Sequence, residues 1–230
     1  MASISVIIPT LNAQAGLPAT LASLFDGAVE GLVKEVVIVD GGSSDLTCTI
    51  AEETGARVVA AERGRGRQLA LGAAEARADW LLFLHADTVL AEGWIGAVTH
   101  FISRQAACRQ AAAFQFALDA KGLGAGWLSL IVRLRCWALR LPYGDQGLLI
   151  SREHYDALGG FRPLPLMEDV DLVRRIGWRG MHLLPAKAVT SAERYRRGGY
   201  IFRPLRNIAL LGLYFAGVAP ERLARWYGYR

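Results

Sequence analysis

The chain has 230 residues, of which 53% are apolar, so it can form one large α/β domain or two small ones around a sizeable core, and a disordered protein is excluded. The net charge of +5 comes mostly from arginine clusters, and arginine suits phosphate groups, so the candidate partners are a nucleotide, an anionic lipid surface or a nucleic acid. Three cysteines without a CxxC pair argue against a disulfide framework and a zinc site and favour a reducing cytoplasm.

The first half alternates short apolar runs, rich in β-branched residues, with helical patterns. This alternation predicts right-handed crossovers and a mostly parallel sheet of an α/β fold, flanked by helices on both faces. The strands are expected at 4–8, 35–39, 57–60 and 80–84, and the helices at 17–25, 46–54, 67–76 and 94–103.

The pattern loosens after residue 106. Strands are expected at 111–118, 147–151 and 181–184, a helix at 168–178, and a long helix or loop at 122–141. Because no repeat or low-complexity linker interrupts the chain, we predict a single domain over 1–230. Within it we expect a nucleotide-binding half at 1–105, an acceptor-binding half at 106–190 and a helical tail at 191–230.

The sequence predicts neither a signal peptide nor a membrane span. The first strand begins within a few residues of Met1, and no apolar run reaches the roughly 20 residues that a spanning helix needs. The longest apolar run, at 208–219, lies between arginines. It predicts either a buried helix or an amphipathic segment that lies on an anionic membrane.

A buried strand at 80–84 runs directly into His85, Ala86 and Asp87. A carboxylate at the carboxyl end of a parallel strand lies where open α/β sheets bind ligands. A hard oxygen ligand there can hold a divalent cation against a diphosphate. The alternative is that Asp87 only caps the helix that begins near Glu92.

Two more turns belong to the same edge of the sheet. The second strand ends at Asp40, which can accept hydrogen bonds from a base or ribose, and the following glycines let a ligand approach the backbone. Asp45 is predicted to be the N-cap of the next helix. The first strand ends comparably at Pro9-Thr10-Leu11-Asn12. The GxGxxG spacing of a dinucleotide site is absent.

Arginine alternates with glycine from Arg63 to Arg67, just before the third predicted helix. By itself this arrangement indicates either a solvated basic loop or an anion cradle at a helix N-terminus. The neighbouring turns favour the cradle, so we predict that Arg65 or Arg67 contacts phosphate.

The second half carries acids at the start of a predicted helix. Asp169 shares a helix face with apolar residues three, four and seven positions later, and an inward-facing acid is costly unless it is paired or used. The same burial can tune a carboxylate to act as a general base. Asp171, by contrast, is expected to pair with Arg175 at the helix surface. Between the two halves, Gly144-Asp145-Gln146 forms either an ordinary turn or part of a sugar or acceptor pocket.

In this order, the motifs resemble those of the inverting family 2 glycosyltransferases of GT-A fold. The resemblance covers residues 3–185 and is closest to a short bacterial subgroup with His-Ala-Asp and Pro-Leu-Met-Glu-Asp motifs. It implies a nucleotide-sugar site, an acceptor or sugar pocket, a metal and a catalytic pair. The residues of the nucleotide-sugar site would be Pro9, Thr10, Asn12, Asp40, Arg65, Arg67, Ala86 and Asp87. The acceptor or sugar pocket would contain Gly144, Asp145 and Gln146, and the ligands of Mn²⁺ or Mg²⁺ would be Asp87 and His85. The catalytic pair would be Asp169, as general base, and Glu168.

The chain departs from the family pattern at two places. His85 replaces the first aspartate of the metal motif, which leaves one firm carboxylate, although imidazole can ligate Mn²⁺. The Gln-x-x-Arg-Trp motif of processive synthases is incomplete at Arg222–Trp226, which favours a single sugar transfer over polymerisation.

The resemblance implies a UDP-type nucleotide-sugar donor and a small-molecule or lipid-linked acceptor. We expect a cytoplasmic protein, and of the two alternatives for the tail, the amphipathic one implies peripheral contact with a membrane. A nucleic-acid partner is not expected, because no nucleic-acid-binding motif occurs. The alternative functions are a non-catalytic nucleotide- or sugar-binding protein and a nucleotidyltransferase.

Overall fold

The computed structural model describes residues 3–120, 144–191 and 202–228. These residues are arranged around one eight-stranded sheet. The predicted helix or loop at 122–141 and part of the predicted tail lie outside these residues. The strands are β1 (Ile4–Thr10), β2 (Val33–Asp40), β3 (Arg57–Ala60), β4 (Trp80–Phe83), β5 (Thr88–Leu90), β6 (Ala111–Leu118), β7 (Leu148–Ser151) and β8 (Met181–Thr190).

The strands lie in the order β3-β2-β1-β4-β7-β6-β8-β5. The first four pair in parallel, as the alternation of strands and helices predicts, so β1, β2 and β4 end at one edge. In the rest of the sheet β6 and β8 are parallel, while β7 runs antiparallel to β4 and β6, and β5 antiparallel to β8. The sheet is therefore mixed, because the regular crossovers on which parallel pairing depends stop after the fourth strand.

Helices cover both faces of the sheet, as predicted. One apolar core contains Leu69 and Leu172, and the other, on the opposite face, contains Leu17 and Phe101. The helices of the described residues are α1 (Leu17–Ala22), α2 (Phe25–Val29), α3 (Thr47–Glu53), α4 (Arg65–Glu75), α5 (Trp94–Ile102), α6 (Arg152–Ala157), α7 (Glu168–Ile176), α8 (Phe202–Phe215) and α9 (Pro220–Tyr227).

Some elements differ from the sequence predictions. β5 and α6 were not predicted, and β8 continues six residues past its predicted end, through Pro185. Proline has no backbone N–H group to donate to a neighbouring strand. At this point the pairing of β6 with β8 shifts register, between Ala113 and Gln115 of β6. A bulge at this point accommodates a residue that a regular ladder would exclude.

Helix α4 packs unusually close to its neighbours, and two glycines make this possible. A Cβ atom at residue 72 would lie 2.4 Å from Ile7 Cγ2, and one at residue 66 would lie 2.6 Å from the carbonyl oxygen of Arg162. Arg152 fixes the other end of α4, since its guanidinium donates to the carbonyls of residues 73, 76 and 78. The position of α4 is thus determined along its whole length.

Candidate active site

Asp40, the last residue of β2, is the centre of a compact hydrogen-bond network. Asp40 is 6% exposed, and its Oδ1 accepts from Thr10 Oγ1 at 2.9 Å and from Ser43 Oγ at 2.5 Å. Its Oδ2 accepts from the amides of Gly42 at 2.9 Å and Ser43 at 2.7 Å. Since a carboxylate has about four acceptor positions, these donors fill its capacity.

The network keeps Asp40 ionised. Burial alone would raise the pKa of this carboxyl, but the hydrogen bonds from Ser43, Thr10 and Gly42 outweigh burial and lower the pKa below its ordinary value. A charged acceptor is therefore maintained at the carboxyl end of β2.

The turn after β1 is joined to the turn after β2. The Asn12 amide donates to Ser43 Oγ at 2.8 Å, and Asn12 Oδ1 accepts from the Ser44 amide at 2.9 Å. Asn12 has a positive φ of 51°, which is uncommon for a residue other than glycine and indicates a locally constrained turn. The N-cap residue of α3 is Leu46, and not the predicted Asp45, which lies one residue earlier. The Asp45 carboxylate accepts from the Thr47 amide at the start of α3 and from the Gln14 amide.

Arg65, the first residue of α4, connects two parts of the site. Its Nε lies 3.0 Å from Glu168 Oε1, and its Nη2 donates to His85 Nε2. Arg67, the other predicted phosphate ligand, is exposed and pairs with Glu62. The structure therefore brings Arg65, and not Arg67, to the predicted catalytic acids.

Glu168 is the most deeply buried acid of the site. The residue is 4% exposed, and burial raises the pKa of its carboxyl to about 7; the Arg65 guanidinium opposes this rise and the charge of Asp169 adds to it. The preceding residue, Met167, has a positive φ of 67°. Backbone strain thus occurs directly before the Glu168-Asp169 pair.

We expect the buried charge of Glu168 to make stability depend on pH. The folded protein keeps a proton on Glu168 up to about pH 7, whereas an unfolded chain loses it near pH 4.5, so the free energy of unfolding decreases as the pH rises through this window. The substitution Glu168→Gln removes this contribution, which is on the order of 3 kcal/mol. Urea unfolding at several pH values should show wild-type stability falling relative to E168Q from pH 4.5 to 7; parallel profiles would contradict this assignment.

The turn after β4 places His85 beside Asp87, with 3.9 Å between Nδ1 and Oδ1. Helix α5 begins later, at Trp94, and Gly93 precedes it without a side-chain cap, so the alternative role of Asp87 as a helix cap is excluded. The backbone of the turn is held by other strands and helices, because Thr20 Oγ1 donates to the Ala86 carbonyl and the Ser191 amide donates to the Asp87 carbonyl.

The donor set at this turn fits a divalent cation only in part. Asp87 supplies a hard oxygen, and His85 is a borderline nitrogen ligand. In the parts of the chain that the structure describes, no three His, Cys, Asp or Glu side chains lie together as a metal site. A cation here would therefore take further ligands from a bound anion such as a diphosphate.

A cleft of about 380 Å³, including the part open to solvent, brings Arg65, His85 and Asp169 together. Its floor is apolar and includes Phe83 and Phe161. Asp169, at the start of α7, shares the cleft with Val173 on the same helix face, as the spacing predicts. Pro9 and Thr10 end β1 at the edge of the sheet where Asp40 lies.

The predicted acceptor segment forms the 3₁₀ turn Gly144–Gln146. The Gln146 side chain is buried and donates to the Phe114 carbonyl, and the Asp145 carbonyl accepts from Thr190. Gly147, the residue that follows this turn, lines the cleft. The predicted pocket residues 144–146 are thus not among the residues that line this cleft, and the Gln146 amide supports the fold.

Asp171 pairs with Arg175, as expected, but the expectation that this pair lies at the helix surface is wrong. Asp171 is 8% exposed and accepts from both Arg175, at 2.6 Å, and Arg162, at 3.1 Å. The loop that packs on the start of α4 covers this side of α7, so this acid is buried and structural.

Comparisons with known proteins identify the family. A family model described as glycosyl transferase family 2 matches residues 5–144, more than half of the chain. The chain belongs to glycosyl transferase family 2. Its relatives include the glucosyl-3-phosphoglycerate synthase of Mycobacterium tuberculosis, 33% identical over 96 residues, and a PGL/p-HBAD biosynthesis glycosyltransferase of Mycobacterium bovis, 40% identical over 95 residues. Each match covers 38% of this chain, but only 29% and 36% of the respective relative.

Solved structures of glycosyltransferases confirm the predicted GT-A fold. The M. tuberculosis synthase, in complex with Mn²⁺, UDP and phosphoglyceric acid, matches 79% of this family 2 chain and 68% of its own, with a TM-score of 0.58 and 24% identity. GalNAc-T7 with UDP, GalNAc and Mn²⁺ matches 83% of this chain and 44% of its own, with a TM-score of 0.65 and 18% identity. TarS of S. aureus has a TM-score of 0.60 at 19% identity and covers 83% of this chain and 58% of its own.

Proposed function

We propose that this chain transfers one sugar from a nucleoside-diphosphate sugar to an acceptor hydroxyl, with inversion at the anomeric carbon. The observation that carries the proposal is the shared cleft, in which Asp169 lies with Arg65 and His85 beside the strand ends that bear Asp40 and Asp87. One edge of the sheet thus bears three kinds of group. They are an acid that can deprotonate the sugar acceptor, cationic groups for a diphosphate, and a carboxylate that can accept hydrogen bonds from a base or ribose.

Asp169 is assigned as the general base. It takes the proton of the acceptor hydroxyl while the hydroxyl oxygen bonds to the anomeric carbon and the bond from that carbon to the diphosphate oxygen breaks. Attack from the side opposite to the leaving group inverts the configuration. The apolar floor with Phe83 and Phe161 limits water at the reacting atoms.

Arg65 and the turn at Asp87 are assigned to the diphosphate. The Arg65 guanidinium, held by Glu168, presents a permanent charge in the cleft where negative charge develops on the leaving group. Asp87, with His85, would hold Mn²⁺ or Mg²⁺, which when bound supplies Lewis-acid neutralisation of the diphosphate. The solved relatives with Mn²⁺ and UDP in their complexes support this assignment.

Asp40, supported by Thr10 and Asn12, is assigned to the nucleoside. Two of its donors are the hydroxyls of Thr10 and Ser43, which can rotate, whereas the other two are backbone amides. An N–H group of a base can therefore take the place of a hydroxyl at Asp40. The UDP in the solved relatives makes uracil the first base to test.

The experiment is a Mn²⁺-dependent assay of the purified chain with a panel of UDP- and GDP-sugars, with analysis of the released nucleotide. Release of a nucleoside diphosphate supports the proposal. Release of pyrophosphate identifies a nucleotidyltransferase instead. Binding of a nucleotide sugar without turnover identifies a non-catalytic module, and absence of binding for the whole panel rejects the nucleotide-sugar site.

We further propose that the tail contacts an anionic membrane surface. Residues 205, 208, 209, 212, 213 and 216 are exposed and apolar or glycine at helical spacing, and Leu205 and Ile208 are 57% and 46% exposed. Arg206, Arg222 and Arg225 are also exposed in this part of the chain, and Trp226 is 61% exposed. An apolar helix face beside arginines suits the interface of an anionic bilayer. No helix in the described ranges has the length and apolar character needed to cross a bilayer.

Sedimentation with phosphatidylglycerol vesicles tests this contact. At low salt we expect binding that phosphatidylcholine vesicles do not support and that weakens as salt increases. Ile208→Asp should reduce the bound fraction about tenfold, because it replaces apolar burial with a repelled charge. Val29→Asp, at an exposed apolar position on α2, is the matched control. Equal sedimentation of wild type and I208D would reject the assigned face.

A further inference from the structure

Gln68 is a buried polar residue that lies outside the cleft. It is 5% exposed, one turn after Arg65 on α4, and its Nε2 donates to the carbonyl of Thr10 at 2.9 Å and to that of Val39 at 2.7 Å. A single side-chain amide thus bridges the carboxyl ends of β1 and β2. Burial of an amide is costly unless its donors are used, and both protons of this one have partners.

The two carbonyls belong to Thr10 and Val39, the residues that contact or directly precede Asp40. Thr10 donates through its hydroxyl to Asp40 Oδ1, and Val39 is the residue directly before Asp40 in β2. The Gly41 amide joins the same cluster by donating to the Thr10 carbonyl at 2.9 Å. A Cβ atom at residue 41 would lie 3.1 Å from Gln68 Nε2, so the amide fills the space directly beneath the turn.

The helix that carries Gln68 cannot easily move relative to the sheet. Gly72 of α4 packs against Ile7 of β1 and Val39 of β2 at distances that leave no room for a side chain. Gly66 packs against the backbone of residues 162–164, which leads to α7. Gln68 lies between these two contacts, so its backbone is fixed and its side-chain amide holds the ends of β1 and β2 in place.

We propose that Gln68 is a positioning residue of the nucleoside site: it sets the distance between the ends of β1 and β2 and thereby the place of the Asp40 carboxylate. This inference rests on the proposed nucleotide-sugar transfer. Gln68 acts through Thr10 and Val39 and does not touch the donor, so it affects donor binding more than the transfer step.

The test replaces Gln68 with methionine, which is similar in size but has no N–H donor. We expect the dissociation constant for UDP with Mn²⁺, measured by titration calorimetry, to rise about tenfold, since two hydrogen bonds that fix the site are lost. The KM for the donor should rise by a similar factor, while kcat stays within about twofold. Competition by uridine should weaken, and competition by pyrophosphate should not change.

Glu75→Met, which introduces the same residue at an exposed position of α4, is the matched control and should leave UDP binding unchanged. If Q68M does not fold, as judged by urea unfolding, Gln68→Asn is used, whose shorter side chain cannot span both carbonyls and should act in the same direction. Wild-type affinity for UDP in a folded Gln68 variant would overturn the inference. Lack of UDP binding by the wild type would reject the proposed function instead.

Discussion

Replacing Asp169 with asparagine is expected to reduce sugar transfer about a thousandfold, because a positioned general base contributes about 10²–10⁴ to the rate. Asparagine has nearly the same shape and keeps a carbonyl oxygen that can accept the hydrogen bond from the Val170 amide. It cannot take the proton of an acceptor hydroxyl. The measurement is kcat with a donor and acceptor pair found in the panel assay, together with the dissociation constant for UDP.

Donor affinity should remain within about twofold of wild type in D169N, since only the acceptor-activating group changes. Asp156→Asn, an exposed aspartate on α6, is the control and should retain full activity. Transfer by D169N at more than a tenth of the wild-type rate would remove Asp169 from the role of base.

Asp171, two residues later on the same helix, should behave in the opposite way. Asp171→Ala is expected to lower the free energy of unfolding by about 3 kcal/mol, because it leaves Arg175 and Arg162 without their buried carboxylate. Arg175 also donates to the carbonyls of Leu158 and Gly160, so its position is fixed and it cannot easily turn to solvent. Urea unfolding measures this loss, and UDP binding at low temperature measures any effect on the site.

The two variants are controls for each other. D169N should lose activity and keep stability, whereas D171A should lose stability and, where it stays folded, keep most of its activity. A D171A variant with wild-type stability would show that the Arg162 and Arg175 pairs contribute little, as exposed ion pairs usually do.

The sequence was most informative where strands and helices alternate. The four parallel strands from Ile4 to Phe83 and the helices between them follow from apolar runs and helical periodicity. The partners of β5 and β8 could not be predicted, because pairing between segments about a hundred residues apart leaves no local pattern. For the same reason, the register shift at Pro185 was visible only in the fold.

The site shows the same division. Asp40, Asp87 and Asp169 could be selected from sequence because each follows a strand or begins a helix at the expected spacing. The partners Arg65 and Glu168 come together only when α4 packs on the loop before α7, a contact that depends on Gly66. Gln68 gave no signal at all, since a glutamine in a helix is ordinarily an exposed residue.

In the described part of the chain, strand β5 pairs with β8, and the Thr88 and Thr190 hydroxyls lie 3.2 Å apart across that pair. The turn with His85 and Asp87 directly precedes β5. During synthesis, a nascent chain that has emerged only through β7 can already contain β1 to β4 and the Asp40 turn, but it has no partner for β5. The turn that we propose to bind the diphosphate should therefore be completed only late in translation, after β8 has emerged from the ribosome.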